Sequence, residues 1–558
     1  MIREAGDSAL LLELDPVIDL HVNARAVAIA AALRRDQLPG VRDIVSAFRS
    51  VAVFFNPLRA DAAAIAEAMR RACDVAPVAD DRSPIDVEVV YGGDGGPDLA
   101  DVAAFAGCAP ADVIDRHASR TYRVFMLGFL PGFAYMGAVD DSIAAPRRAT
   151  PRTHVPAGSV GIAGRQTGIY PFDSPGGWQI IGRTAMTIFD PDRIPPALFA
   201  PGDHVRFVPV TSDSCGAGLY GPPRGPQGSA PHVVASAPHL TENTTHPARS
   251  VTVLRPGLFT TIQDEGRWGY QALGVPVSGP MDPVAHRLAN AIVGNPRDAA
   301  TLEATIVGPE LRIEQPTTAA LTGADLGATL DGAEVPRYAA VTCGSGSVLR
   351  FGERRQGARA YVAFDGGMTT PQALGSRATH ALSGLGGIEG RALRAGDRLP
   401  LGERFGTLSK ATPRGRAPWP SPVGGARLRV LPGPQDACFS RDAFAALEVT
   451  RFTVSAESDR MGYRLSCDRP VPSAADGQMI SDVTFVGGLQ VPPSGQPILL
   501  MADRQTTGGY PQIATVITAD LPAAGQLAPG DWVEFEVCTR ADALAALIEQ
   551  EGRLLALG

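Results

Sequence analysis

The chain has 558 residues, 45% hydrophobic and 19% charged, an ordinary globular composition long enough for about three to four domains of roughly 150 residues each. Its net charge of −8, with acidic and basic residues interspersed, weighs against a nucleic-acid partner, which needs a concentrated Lys/Arg face. The early apolar run Leu10 to Leu12 is interrupted by Glu13 and Asp15, so no leader peptide is expected, and no run approaches the roughly 18 apolar residues of a membrane helix. The seven cysteines are scattered, without a CxxC or Cys/His cluster, and read as reduced thiols of a cytoplasmic protein.

The first eighty residues predict a small α/β sandwich over 1–80. It has a strand at Leu10 to Leu14, a helix from Val22 to Arg35, two strands within Ile44 to Phe55 and a helix from Ala60 to Cys73. A strand at Ile85 to Val90 and helices at Pro97 to Ala106 and Pro110 to Ser119 open the next unit. Short apolar runs broken by Gly and Pro then continue to Val210, so 81–215 reads as a β-barrel. Residues 216–248 lack any hydrophobic period and read as a linker. Two further β-rich blocks, 249–408 and 426–558, flank a second linker at 409–425, and the last block ends in an amphipathic helix from Arg540 to about Leu555.

An internal repeat ties two of these blocks together. Arg165-Gln166-Thr167-Gly168-Ile169-Tyr170 precedes an Ala200-Pro201-Gly202-Asp203 ending. Arg504-Gln505-Thr506 with Tyr510 precedes Ala528-Pro529-Gly530-Asp531, and Ala395-Gly396-Asp397 is a fainter copy of the ending. A duplicated barrel is the simple reading.

The chemistry suggested is recognition of a small polar ligand. Arginine offers a planar fork for a carboxylate or phosphate, and Gln and Thr can read the two edges of an amide. Arg165, Gln166, Tyr170, Arg504, Gln505, Thr506 and Tyr510 are therefore candidate ligand contacts, with a purely structural tie between turn and strands as the alternative. Gln263, Asp264 and Arg267 form a polar cluster in a Gly turn, whereas Asp282 before Pro283 reads as a helix N-cap. Asp459-Arg460 reads as an exposed pair. His154 is a candidate acid/base because its pKa lies near neutrality. No metal site, P-loop or Gly-x-Ser-x-Gly elbow is present, and the single lysine, Lys410, is not in the Met-Lys-Met context of a biotinylated lysine.

Two regions resemble a known family. Leu127-Gly128-Phe129-Leu130-Pro131-Gly132-Phe133-Ala134-Tyr135, Pro146-Arg147-Arg148, Pro151-Arg152, Val155-Pro156-Ala157-Gly158-Ser159-Val160 and Gly176-Gly177-Trp178 are similar to allophanate hydrolase subunit 1, also read as the B subunit of 5-oxoprolinase. Thr261-Ile262-Gln263-Asp264, Ser278-Gly279-Pro280-Met281-Asp282, Ser458-Asp459-Arg460-Met461-Gly462 and Asp503 to Tyr510 are similar to allophanate hydrolase subunit 2, or the C subunit of 5-oxoprolinase. Met136, Pro280 and Ala378 depart from the usual residues without removing a polar candidate. The resemblance implies a mainly β chain, with one cyclophilin-like barrel in the B part and two in the C part. It also implies ATP-dependent opening of 5-oxo-L-proline to L-glutamate with a separate A subunit, and ATP with Mg2+ without covalently bound biotin. Asp503 and Asp264 then become candidate acid/base or magnesium groups, and homo-oligomerisation stays open. Two alternatives share these modules: carboxyl transfer from carboxybiotin to urea or a similar amide, and regulation of a histidine kinase.

Overall fold

The computed structural model describes residues 1–76, 82–211, 249–405, 421–472 and 479–556. The linker 216–248, most of 409–425, Cys215 and Lys410 lie outside the described residues. The six described cysteines are free thiols.

The N-terminal unit is one antiparallel sheet in the order Ile2–Glu4, Ala9–Glu13, Ser50–Phe55, Val41–Ser46. Helices Leu20–Asp36 and Ala62–Ala72 cover one face, each started by an aspartate, Asp19 and Asp61, that accepts first-turn N–H groups. Because side chains alternate along a strand, Leu10, Leu12, Val51, Val53 and Phe55 face the helices. Ala9, Leu11, Ala52 and Phe54 face the following barrel. Burial on both sides explains why Ser50–Phe55 is apolar nearly throughout.

The first barrel closes through seven strands in the order Gln166–Ile169, Ala134–Gly137, Thr121–Leu127, His204–Pro209, Ile85–Tyr91, Gln179–Arg183, Ser159–Ala163. Its first and last strands in sequence, Ile85–Tyr91 and His204–Pro209, pair in parallel. The C-terminal barrel repeats the plan: Gly425–Pro432, Gln512–Val516, Gly488–Gln490, Ile498–Leu500, Gly462–Ser466, Phe452–Val454, Trp532–Val537, again with first and last strands parallel. Each barrel also carries a two-stranded side sheet, Arg152–Val155 with Ser174–Gly176 and Asp482–Val483 with Thr507–Gly508.

The middle block, expected as a third barrel, is instead two open sheets of six and five strands around a shared core. The outer face of the five-stranded sheet is buried by helix Pro283–Val293, whose Val284, Leu288 and Ile292 pack on Ala320, Tyr361 and Ala363. A sheet covered on both faces has no need to curl closed to hide its apolar side. The block nevertheless keeps the shared ending. In all three copies the aspartate accepts the N–H three residues earlier, Ala200 to Asp203 and Arg394 to Asp397 at 2.7 Å and Ala528 to Asp531 at 2.9 Å. The intervening glycine sits at φ +95°, +91° and +89° in Gly202, Gly396 and Gly530, a region that Cβ-bearing residues avoid.

Topology corrects one detail of the repeat. Stepping round the barrels, Gln179–Arg183 occupies the place of Gln512–Val516, and Gln166–Ile169 that of Ile498–Leu500. Ser174 to Trp178 therefore corresponds to Thr506 to Tyr510. Arg165-Gln166-Thr167 lies one strand earlier than Arg504-Gln505-Thr506, so the two tripeptides are not equivalent.

Candidate functional site

Asp503 and Arg504 project to opposite sides of the turn before strand Thr507–Gly508. Asp503 enters a buried polar network between the middle block and the C-terminal barrel. Arg460 grips it bidentately, Nε to Oδ2 at 2.8 Å and Nη2 to Oδ1 at 3.1 Å, donates to Gly279 O at 2.7 Å and pairs with Glu303 through Nη1. The other Glu303 oxygen accepts from Tyr361 OH at 2.6 Å and Met281 N at 2.8 Å. Burial raises the Asp503 carboxyl, but the Arg460 guanidinium outweighs it and holds the group below its ordinary value. Gripped by Arg460 and held below its ordinary pKa, Asp503 is an anion at neutral pH.

Asp264 is also engaged. Its Oδ1 accepts from Ser376 Oγ at 2.5 Å and Gly266 N at 3.0 Å, and its Oδ2 from Arg377 N at 2.5 Å, which pins the 376–377 turn. Arg267 is almost fully buried, donates to Ala378 O, and leaves Nη1 without a partner. Gln263 donates to Thr261 Oγ1 at 3.0 Å and Thr379 O at 3.2 Å, with Oε1 unpaired. Ser278 stands beside Asp503 at φ +58°, its buried hydroxyl making no hydrogen bond of ordinary geometry. His380 lies in the same cluster, Nδ1 at 2.8 Å from Ser383 Oγ. Burial drives its pKa down to about 4, against the pull of Asp503, so it is neutral at pH 7.

Arg504 points the other way, into the seam between the B and C parts. Its Nη2 donates to Gln271 Oε1 at 2.7 Å and Thr484 O at 3.2 Å, and its buried Nε has no partner. Burial lowers its pKa to about 10, with Asp43 of the N-terminal sheet partly opposing. Asp43 Oδ2 accepts from Gly269 N and Gln271 N at 3.1 Å and Gln271 Nε2 at 3.3 Å, so an N-terminal aspartate sets the glutamine that orients Arg504. Thr507 Oγ1 accepts from Phe129 N at 3.1 Å, and Phe54 packs on Phe485 with ring centroids 5.3 Å apart. Thr506 is buried with an unpaired hydroxyl, Gln505 is half-buried and Tyr510 exposed.

The remaining candidates are elsewhere. Arg165 is exposed on a hairpin and pairs with exposed Asp141 at 2.8 Å, and Gln166 begins the following strand. Tyr170 is buried among Phe129, Phe133 and Trp178, and His154 is exposed on strand Arg152–Val155. The structure therefore separates Arg165, Gln166 and His154 from the Arg504 turn. It also corrects the exposed Asp459-Arg460 pair: Asp459 caps its own turn, and Arg460 is the buried centre of the network. Sequence reading missed Asp43, Gln271, Ser278, Glu303 and His380. Ser278 and Arg460 lie within the family-like motifs, but nothing in Asp43 or Glu303 distinguishes a partner in a buried network from a surface acid.

Two closed barrels flank a two-sheet block, and a buried Arg/Asp/Glu network joins that block to the C-terminal barrel, an arrangement that matches a carboxyltransferase-type assembly. The chain belongs to the carboxyltransferase-domain family: subdomains C and D match residues 1–199, and subdomains A and B match residues 273–537. It is 37% identical over 299 residues to the C subunit of 5-oxoprolinase from Escherichia coli, covering 54% of this chain and 94% of that protein. It is 40% identical over 222 residues to the B subunit of 5-oxoprolinase from Bacillus subtilis, covering 38% of this chain and 92% of that protein. The crystal structure of TTHA0988 superposes with a TM-score of 0.80 at 34% identity, covering 96% of this chain and 100% of that one. The Kluyveromyces lactis urea amidolyase gives a TM-score of 0.52 at 29% identity over 56% of this chain, which is 20% of that larger protein.

Proposed function

We propose that this chain is the B and C components, in one polypeptide, of an ATP-dependent 5-oxoprolinase that opens 5-oxo-L-proline to L-glutamate with a separate A-type subunit. The supporting observation is that one chain spans more than nine-tenths of a B-type and of a C-type 5-oxoprolinase component. The Asp43–Gln271–Arg504 relay ties the two parts together at their seam.

5-Oxoproline is a carboxylate beside a lactam. The free Nε–H of Arg504 suits the carboxylate, and the Thr506 hydroxyl and the Gln505 amide are neighbouring groups that could read the lactam edges. Binding an anion there would also compensate a cation whose burial already depresses its pKa. Among the described residues, no three His, Cys, Asp or Glu side chains stand together as a ready-made metal site, whereas Mg2+ carried on the phosphates of ATP needs only one or two protein carboxylates. The test is 5-oxoproline-dependent ADP release by the purified chain with and without an A-type subunit. Turnover with both chains together is expected; a folded, assembled pair that releases no ADP overturns the reading.

Carboxyl transfer is the second reading, favoured by the carboxyltransferase subdomains and the resemblance to urea amidolyase. Carboxylation of urea by this chain supplied with carboxybiotin would establish it.

A further inference from the structure

The Pro146-Arg147-Arg148 and Pro151-Arg152 segment has no place in the Arg504 site, yet it sets two guanidiniums, those of Arg148 and Arg152, on one carboxylate, with a third arginine, Arg147, adjoining them in sequence. Asp98, whose side chain is 2% exposed, accepts from Arg148 Nη1 at 2.9 Å, from Arg152 Nη1 and Nη2 at 2.8 and 2.6 Å, and from Ile180 N at 2.6 Å. Asp98 is thus saturated and offsets only one of the three positive charges. Arg147 is exposed and makes no ion pair among the described residues. Arg148 keeps a buried Nε–H without any partner.

The cluster is held rigidly. Arg148 N donates to Gly177 O at 2.8 Å, and Gln179 Nε2 donates to Pro146 O at 3.0 Å, which fastens the arginine segment to the Gly176-Gly177-Trp178 turn. It also adjoins the seam. Arg147 and Arg152 both bear electrostatically on the Tyr170 hydroxyl. Arg147 acts likewise on Tyr135, whose hydroxyl meets Thr507 of the C part. Like charges repel when gathered on a fixed scaffold, and the local excess is about +2. A carboxylate ligand would return one charge, whereas a phosphate group returns about 1.5 to 2 and offers three acceptor oxygens to planar guanidinium forks.

We propose that Arg147, Arg148 and Arg152, braced by Asp98, form a phosphate-binding site on the first barrel, next to the seam. Its ligand bears a terminal phosphate, either a nucleotide or a phosphorylated substrate. The site goes beyond the oxoprolinase reading, because binding is measured without turnover and either result can fail while the other stands.

The experiment is titration calorimetry of the full chain with inorganic pyrophosphate, with a non-hydrolysable ATP analogue, and with a simple phosphate monoester, at low salt and again at higher salt. Wild type is expected to bind pyrophosphate at one site, more weakly as salt rises. Arg147→Ala/Arg148→Ala should lose at least about tenfold in affinity, while Arg312→Ala, at an exposed side chain of the middle block, should lose none. Should the double variant prove unstable, Arg147→Ala alone serves, since its side chain has no ion pair to lose, and several-fold weakening at an unchanged melting temperature is the expected result. An ATP analogue that binds more tightly than pyrophosphate identifies the ligand as a nucleotide, and equal binding of all three identifies the phosphate alone. No binding of any probe at millimolar concentration, or equal binding by wild type and the arginine variants, overturns the proposal.

Discussion

Asp282→Asn separates two opposing effects at one buried carboxyl. Asp282 caps helix Pro283–Val293 by accepting from Ala285 N at 2.8 Å and takes Gln526 Nε2 at 2.8 Å on its other oxygen. Burial pushes its pKa up from 3.8 to about 6, against the Ala285 and Gln526 hydrogen bonds. In the unfolded chain the group titrates near its ordinary value, so folding takes up a proton between the two pKa values. The favourable contribution is therefore complete below pH 3.8 and is lost as the pH rises through 6, a change of about 3 kcal/mol at about 1.4 kcal/mol per unit. Asparagine does not titrate and is as good an N-cap. Its amide N–H would, however, face the Gln526 amide N–H. Gln526 cannot turn over, because its Oε1 accepts from Ala358 N at 3.1 Å and Arg359 N at 3.0 Å while its Nε2 also donates to Arg359 O at 2.9 Å. One donor is thus orphaned, at roughly 1–3 kcal/mol. The variant should be less stable than wild type near pH 4 and match or exceed it near pH 8. Urea unfolding of both proteins at the two pH values reads this directly, and the comparison cancels the other buried acids Asp7, Asp43 and Asp482, whose pKa values burial also raises. A difference between variant and wild type that stays constant with pH would refute the assigned proton uptake.

Removing Arg460 as Arg460→Ala leaves Glu303 and Asp503 buried without their cation and should cost about 3–5 kcal/mol, read as a lowered melting temperature. Arg504→Lys keeps the charge but loses the fork, and steady-state assays of the assembled enzyme should show kcat/KM for 5-oxoproline falling by about tenfold or more, chiefly through KM. Asp43→Ala should produce the same KM defect from the other side of the seam, and combining it with Arg504→Lys should add little further loss, since the two act on one chain of contacts. Gly128→Val places a side chain against Thr507, and limited proteolysis should show the B and C parts separating more readily than in wild type.

The fold was legible in the sequence wherever periodicity and turn chemistry act locally. The helices Leu20–Asp36 and Arg540–Leu555 and the three Gly-Asp endings follow from patterns within ten or twenty residues. Closure of a sheet is not local: the middle block has the same strand vocabulary as the barrels, and only helix Pro283–Val293, lying across its five-stranded sheet, shows why it stays open. The site was legible in part for the same reason. Arg504, Thr506, Gln263 and Arg267 announce themselves through motifs, but their partners are far away in sequence. Asp43 to Gln271 spans 228 residues and Gln271 to Arg504 spans 233, and no pattern in one sequence links them.

The corrected equivalence between the barrels explains why the two parts depend on each other. Counting back from the paired Gly-Gly turns, the place of Arg504 in the second barrel is held by Phe172 in the first. Phe172 packs on Phe189 with ring centroids 5.8 Å apart and needs only apolar neighbours. A buried guanidinium needs acceptors and a nearby negative charge, or it remains strongly destabilising. The second barrel supplies one acceptor, Thr484 O. The others, Gln271 Oε1 and the Asp43 carboxylate that sets it, come from the middle block and from the N-terminal sheet. The polar copy of the barrel therefore cannot satisfy its own distinguishing residue. With B and C parts on one chain, the seam forms at the high effective concentration of a tethered pair, and Arg504 need not await a separate polypeptide to be paired.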